Sequence, residues 1–574
     1  MNLVFCHAGS GRPAMIYSKR TLMKKKNHQW IIVGILSVTI GILNILRVII
    51  GYFQTPYGYS YLAVGHYYQD YFQYTQQIAQ GMFGHWLVQN QFTTHDPTRT
   101  LIGWEQYIFI GKFALLFHLS PFAAYWISIF LFSILLCFLL FLVIRRMTKD
   151  KPFFLQISAF LFCLFAVPFI KIVQNNGQWK IVTFDFWYAP ISLFHRIGGI
   201  PHHFTITIFV LVAMFLTDHI LTNLYTEKVQ KLLIKTVLLI IILILLLTFG
   251  PLQVINFLSS LSVVSIILLW KFFIKEKKSA RGIRLIVFLS AVFLSVLPAA
   301  LYIKQSHQSE ELFKWVMAWE VAQQNYPPVY LVLLTIGPIL LFVPFGIRQY
   351  FKSATSMRLL VFFLAASSYV FASTPFGKYL GTFNLRFLTP LSYVLFGVLA
   401  VLGIQAIVQR LPYKKIVMQT LVFGFLLYAI TVTLVILQSF GGVEPISYQP
   451  NELLEGIKIL NQQRDQRAVL TSPSQSLGMI VPSIVDRNVY LGRMFLTPNY
   501  EEKIGISDRF YQGTMTPEAG KLLLLDNSIG YVLLSTTEPY PLSNLQKYPF
   551  LKEMYKNNSL FIFRFEMDSG SRPE

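Results

Sequence analysis

The sequence predicts an α-helical polytopic membrane protein of about 11 transmembrane helices with a small C-terminal α/β extracytoplasmic domain. Three observations carry that expectation. The chain is 54% hydrophobic and 13% charged, with a mean hydropathy of +0.54, whereas a soluble domain carries roughly 25% charge. Apolar runs of about 20 residues, the length that crosses hydrocarbon, recur along it. Composition then changes after Gly441 and Gly442. From Phe440 onward there are 13 Lys and Arg against 15 Asp and Glu, a net of −2, so with a total of +22 the preceding part carries +24. That excess lies in short clusters between apolar runs. Clusters so placed mark cytoplasmic loops and argue against a nucleic-acid face.

Residues 1–29 read as a cytoplasmic segment, because Lys24, Lys25 and Lys26 precede the first span, Trp30–Ile50. The first 23 residues lack an apolar core long enough for a cleavable signal, so this span is expected to serve as the anchor. A large outer loop, 51–120, follows. Its last part, Leu101–Leu119, is interrupted by Glu105, Lys112 and His118. If it spanned, Arg145, Arg146, Lys149 and Lys151 would lie outside, so it reads as an interfacial helix. The remaining spans within 30–440 are Phe122–Ile144, Phe153–Val173, Phe204–Leu224, Val237–Phe249, Val254–Trp270, Leu285–Tyr302, Val329–Gly346, Leu359–Ser373, Leu388–Val408 and Ile416–Leu437. With these, every strongly basic short loop falls on one side. In 441–574, strands are expected at 468–472, 488–492, 530–536 and 559–565, alternating with helices, which argues for a largely parallel sheet. The three cysteines, Cys6, Cys137 and Cys163, all lie outside that domain, so no disulfide framework is available to it. The location implied is the cell membrane.

Four outer loops and the outer domain converge on one face. Asp70 lies in the first loop among Tyr67, Tyr68 and Tyr71, with Asp96 as a second carboxylate. There is no Walker motif and no nucleotide-binding domain, so an enzyme on this face needs a donor that arrives as a lipid. A polyprenyl phosphate sugar requires an apolar groove, cations for its phosphate and a carboxylate to activate an acceptor hydroxyl. Asp70 and Asp96 are the candidate carboxylates. Candidate cations are His195, Arg196, His202 and His203 in the second outer loop, and Lys378 and Arg386 in the fourth. Basic residues on an outer face run against the positive-inside bias. Phosphate binding explains them, and so does pairing with Asp185 or Glu320. Tyr67, Tyr68, Tyr71, Phe72, Tyr74 and Trp86 suit either a sugar platform or an interfacial belt.

The stretches YYQDYFQYTQQIAQGMFGHWLVQNQFTTHDP and WEQYIFIGKFALLFHLSPFAAYW resemble the first outer loop, juxtamembrane helix and second span of the GT-C superfamily of membrane glycosyltransferases. VDRNVYLGRMFLTPNYEEKIGISDRFYQG is similar to a stretch in the outer domain of many members. The resemblance implies a polyprenyl-phosphate-linked sugar donor, a glycan, lipid or protein acceptor, Asp70 at the catalytic position and, in some members, a divalent cation. Two features depart from it. Asp70 has no adjacent acidic partner, and the WWD-type motif of oligosaccharyltransferases is absent, which argues against protein N-glycosylation. A lipid or polysaccharide transporter and a non-catalytic envelope scaffold are the rival readings. The first predicts charges at mid-span and paired broken helices.

Overall fold

The computed structural model describes residues 13–65, 67–95, 100–101, 103–175, 177–186, 194, 198–309, 311–439, 445–474 and 476–566. Asp96, His195 and Arg196 lie outside them. The fold is a helical membrane domain joined to a C-terminal α/β region. Its helices, in order, are α1 Pro13–Phe53, α2 Tyr68–Phe83, α3 Glu105–Leu116, α4 Pro121–Met147, α5 Phe153–Phe165, α6 Pro201–Asn223, α7 Val229–Phe249, α8 Pro251–Trp270, α9 Ser279–Ser309, α10 Glu311–Ala322, α11 Val329–Ile336, α12 Val343–Lys352, α13 Ser356–Ala372, α14 Ser392–Val408 and α15 Lys414–Ser439.

Among the described residues, seven helices are long and apolar enough to cross a membrane: His28–Phe53 of α1, Pro121–Met147, Pro201–Asn223, Val229–Phe249, Pro251–Lys275, Ser279–Gln308 and Lys414–Leu434. The other four expected segments are shorter or broken. Phe153–Phe165 stops before Pro168, and a hairpin of β4 Ile170–Asn175 and β5 Gln178–Thr183 follows where the expected span ran on to Val173. A short apolar run does not distinguish strand from helix. The segment expected at Val329–Gly346 breaks at Gly337, which has φ 90°, before Pro338. Only glycine fits there, because a Cβ would collide with the Val167 carbonyl. Ser356–Ala372 and Ser392–Val408 are apolar but short. On the cytoplasmic side of the expected topology, Arg358 is buried. It donates from Nε to the Met147 carbonyl (2.7 Å) and from Nη1 to that of Tyr350 (2.8 Å), so it caps two helix ends.

The interfacial segment forms α3, whose 12 residues are too few to cross the hydrocarbon. It packs on α2 at glycine. A Cβ at Gly81 would strike the Ile108 carbonyl, and one at Gly111 the Ile78 carbonyl. The two backbones therefore lie in direct contact.

The C-terminal sheet corrects the expectation of a largely parallel one. Its order is β7 Ala468–Leu470, β8 Ile529–Ser535, β10 Leu560–Phe565, β9 Leu551–Lys556. Only β7 and β8 are parallel; the other pairings are antiparallel. The sequence reading missed β9, whose LKEMYK is largely polar and half exposed. It joins β10 through a turn in which Asn557 Oδ1 accepts from Ser559 N and Leu560 N at 2.9 and 2.8 Å. The 488–492 segment contributes an isolated bridge between Val469 and Val489.

This region is clasped to the segment between α1 and α4, the expected first outer loop. β1 Tyr59–Tyr61 pairs antiparallel with β6 Tyr448–Pro450. Val489 N donates to the Gln91 carbonyl (2.9 Å), Asn488 Nδ2 to that of Thr93 (2.8 Å) and Thr497 Oγ1 to that of Phe92 (2.8 Å). Asp486 accepts from Gln91 Nε2 at 2.6 Å and lies 2.9 Å from His85 Nε2. Phe92 is wholly buried. The loop and the C-terminal region fold as one unit.

Gly111→Leu is expected to force α2 from α3 and cost about 1–3 kcal/mol or more, as overpacking against backbone does. Gly34→Leu, where a Cβ meets nothing within 4 Å, is expected to be silent. Thermal unfolding of the two variants in detergent checks the contrast.

Candidate functional site

Asp70 sits in the first turn of α2, where the helix dipole favours a carboxylate. Nearly every side chain of this helix is buried. Tyr71, Phe72 and Ile78 pack into the membrane-domain core, while Gln69, Gln73, Gln76, Gln77 and Gln80 are also enclosed. Thr75 Oγ1 meets Ser483 Oγ of the C-terminal region at 2.9 Å. A rigid helix held on several sides therefore presents Asp70 at its exposed end.

Arg493, from the C-terminal region, donates from Nη2 to Asp70 Oδ1. The side chains are 31% exposed for Asp70 and 14% for Arg493, so the pair is accessible from the carboxylate side. Asp70 Oδ2 has no hydrogen-bond partner among the described residues. Arg493 Nε is buried and unpartnered among them as well. The sequence reading missed Arg493. It lies in the stretch that carries the family resemblance, but 423 positions from Asp70, and no local periodicity links them. A basic residue in a net acidic domain was the only local signal.

From Arg493 the contacts run on to a second ion pair. Its guanidinium lies 5.7 Å from the Phe495 ring, and that ring packs against Trp315 and Trp319 of α10 at 4.9 and 5.3 Å. The next residue, Glu320, is gripped by Arg386: Nε donates to Oε2 at 2.6 Å and Nη2 to Oε1. Glu320 also accepts from Phe383 N at 3.1 Å. Of the two explanations for Arg386, the structure shows the pairing with Glu320. Lys378 stands exposed in the short helix Phe376–Tyr379.

His202, near the start of α6, approaches from the other side. Its Nδ1 lies 2.8 Å from Tyr107 Oη, and its ring meets Tyr74 edge-on at 5.3 Å. Tyr74 stacks on Tyr107 at 4.7 Å, and His203 lies 4.6 Å from His202. Burial, then the neighbouring Tyr74 and Tyr125, raise the Tyr107 pKa well above that of an ordinary phenol, and the charge of Asp70 adds to this. Tyr107 Oη and His202 Nδ1 share one hydrogen bond, whose direction is set by the imidazole tautomer.

The aromatic candidates divide. Tyr71 is wholly buried and its phenol donates to the Leu62 carbonyl at 2.6 Å, so it is a core residue and not a sugar platform. Phe72 and Tyr74 are likewise buried. Trp86 is exposed, with Lys112 Nζ 4.6 Å from its ring centroid. Tyr67 is exposed beside Tyr68. Its pKa is raised by partial burial, then by Tyr68 and Asp70, against Arg493. Tyr500 faces the same group: burial, then Tyr68, raise its phenol to about 12, and its hydroxyl is buried without a partner among the described residues. Tyr67, Tyr68, Asp70, Arg493 and Tyr500 thus meet where loop and C-terminal region join.

Among the described residues no three His, Cys, Asp or Glu side chains group as metal ligands. Asp70 already spends one oxygen on Arg493, and Asp96, the second candidate carboxylate, lies outside the described residues.

Beside the site, a cavity of about 420 Å³ opens between α3, α4, α6 and α7. Phe109, Phe113, Leu131, Leu135, Phe209 and Phe249 are among its apolar walls, and Glu105 and Gln106 lie at the start of α3, next to Tyr107.

No family model matches the sequence, and no curated protein is similar to it at the sequence level. The fold does have relatives among solved structures. It is similar to the oligosaccharyltransferase of Archaeoglobus fulgidus tethered with an acceptor peptide, with a TM-score of 0.50 at 12% identity over 88% of this chain and 69% of that one. It is similar to the same archaeon's oligosaccharyltransferase AglB in complex with an inhibitory peptide and a dolichol-phosphate, with a TM-score of 0.50 at 10% identity over 89% and 70%. The chain shares the fold of these oligosaccharyltransferases.

Lys503, at the clasp, lies 3.5 Å from Thr93 Oγ1 and 4.9 Å from the Tyr490 ring. Burial lowers its pKa to about 8. Between pH 8 and the ordinary lysine value, about 10.4, the folded state binds fewer protons than the unfolded, so this group's contribution to stability rises with pH there. Lys503→Met is therefore expected to stabilise at pH 7 by about 1 kcal/mol, a figure discounted for partial exposure. The advantage should shrink by pH 10. Paired thermal melts at the two pH values check the sign.

Proposed function

We propose that this GT-C-like protein is a membrane glycosyltransferase that moves a sugar from a polyprenyl-phosphate-linked donor to a hydroxyl acceptor on the outer face of the membrane. One observation carries the reading: a carboxylate whose second oxygen has no partner among the described residues is held by an arginine at the junction of loop and C-terminal region. Asp70 Oδ2 takes the acceptor's proton as its oxygen attacks the anomeric carbon. The bond from that carbon to the phosphate oxygen breaks, and polyprenyl phosphate leaves with the electron pair. Arg493 is a positioning residue for Asp70. Tyr107 and His202 fix the shape of the adjoining wall. Tyr67 is placed to lie against the sugar.

The solved structure with dolichol-phosphate makes a lipid-linked donor the natural first choice. An acceptor peptide is known for the archaeal enzyme, but the WWD-type motif is absent here. An envelope glycan or lipid acceptor is therefore favoured.

Membranes containing the protein, given a radiolabelled polyprenyl-phosphate sugar, test the proposal. Asp70→Asn is expected to lower transfer about 10²- to 10⁴-fold, as loss of a positioned base does, at unchanged protein level. Full transfer by that variant would remove Asp70 from the mechanism.

A further inference from the structure

The cavity between α3, α4, α6 and α7 has mainly apolar walls; the hydroxyls of Ser128, Thr205 and Thr248 are bonded to their own helices, and Glu105 and Gln106 lie at the end where α3 begins. At that end Gln106 is 7% exposed, and neither its amide nitrogen nor its oxygen has a partner among the described residues. Glu105 accepts from Gly103 N through Oε1 at 2.6 Å, but its Oε2 is buried and unpartnered among them. Leaving a buried amide unpaired is costly, so a ligand hydroxyl that draws these side chains toward the cavity is favoured. Their chemistry selects its head. Among the described residues the lining holds no Lys, Arg or His, and its one charge is Glu105. A phosphate would meet a carboxylate with no cation to offset it. A hydroxyl can donate to Glu105 Oε2 and accept from Gln106 Nε2. The walls include the exposed side chains of Phe109, Phe113, Leu131 and Leu135, which gives a lipid chain access from the bilayer.

We propose that this cavity binds a neutral, hydroxyl-bearing lipid, its chain between the helices and its hydroxyl at Glu105 and Gln106. Because Glu105 and Gln106 precede Tyr107, which stacks on Tyr74 one turn along the helix from Asp70, this lipid is the acceptor of the sugar. The acceptor role rests on the glycosyltransferase reading; the lipid assignment does not.

The test uses the full chain in phosphatidylcholine nanodiscs with three photoactivatable probes carrying a diazirine in the chain: dioleoylglycerol, phosphatidylglycerol and polyprenyl phosphate. Dioleoylglycerol is expected to label peptides spanning residues 105–135 in preference to the two anionic probes. Leu131→Trp, at an exposed wall position, should remove that labelling by filling the cavity. Gln106→Leu should weaken it roughly fivefold through loss of one hydrogen bond, while raising the melting temperature of lipid-free protein because a buried unpaired amide is gone. Equal labelling by the anionic probes, or labelling insensitive to Leu131→Trp as ordinary annular lipid would give, overturns the proposal and leaves the glycosyltransferase reading intact. Labelling as expected, with no sugar transferred from any polyprenyl-phosphate donor to dioleoylglycerol, overturns the acceptor role alone. Asp70→Asn separates the two cases further, since it should stop transfer without altering labelling.

Discussion

The clasp between the first outer loop and the C-terminal region is the constraint on which the site depends. Without it, the polar, glutamine-rich face of α2 would lose its partners, among them Ser483 and, through Gln91, Asp486. Asp70 and Arg493 come from opposite ends of the chain, and each is set by packing that does not involve the other. Asp70 is fixed by α2 on α3, and Arg493 by the strand-like segment hydrogen-bonded to Gln91 and Phe92. A partly buried ion pair is costly to form from free side chains. Here the clasp brings the two groups together before they pair, which lowers the ordering cost. The aromatic bridge through Phe495 to Trp315 and Trp319 ties the same segment to the membrane domain and to the Glu320–Arg386 pair.

Much of the membrane domain could be read from the chain because hydrocarbon leaves few choices: long apolar segments, and charges only at their ends. Glu105, Lys112 and His118 argued for that reason that their segment does not span, and α3 is indeed only 12 residues long. The hairpin at 170–183 could not be foreseen, since IKIV is as apolar as a helix end and only tertiary pairing makes it a strand. The break at Gly337 depends on the Val167 backbone lying against it. In the C-terminal region, β9 was hidden by its polar, half-exposed side chains, and without it the sheet looked parallel.

The candidate site was readable in part. Asp70 stood out as an acidic residue in an aromatic loop, and His202 as a candidate phosphate ligand in a separate loop. Tyr71 did not betray its burial, because a tyrosine in a polar loop looks alike whether it faces solvent or a core. Arg386 is explained by Glu320, an alternative visible in the sequence but not decidable there. Arg493 required the fold itself. The polar end of the cavity was equally hidden: Glu105 and Gln106 acquire meaning only when α4, α6 and α7 close an apolar space around them.

The central claim is that Asp70 acts and Arg493 positions it. A double-mutant cycle on the transfer rate, with Asp70→Asn, Arg493→Met and the two combined, measures this directly. The account predicts strong non-additivity, with the double variant about as slow as Asp70→Asn alone, as for groups that work as one unit. Independent, additive losses in the two single variants would contradict it.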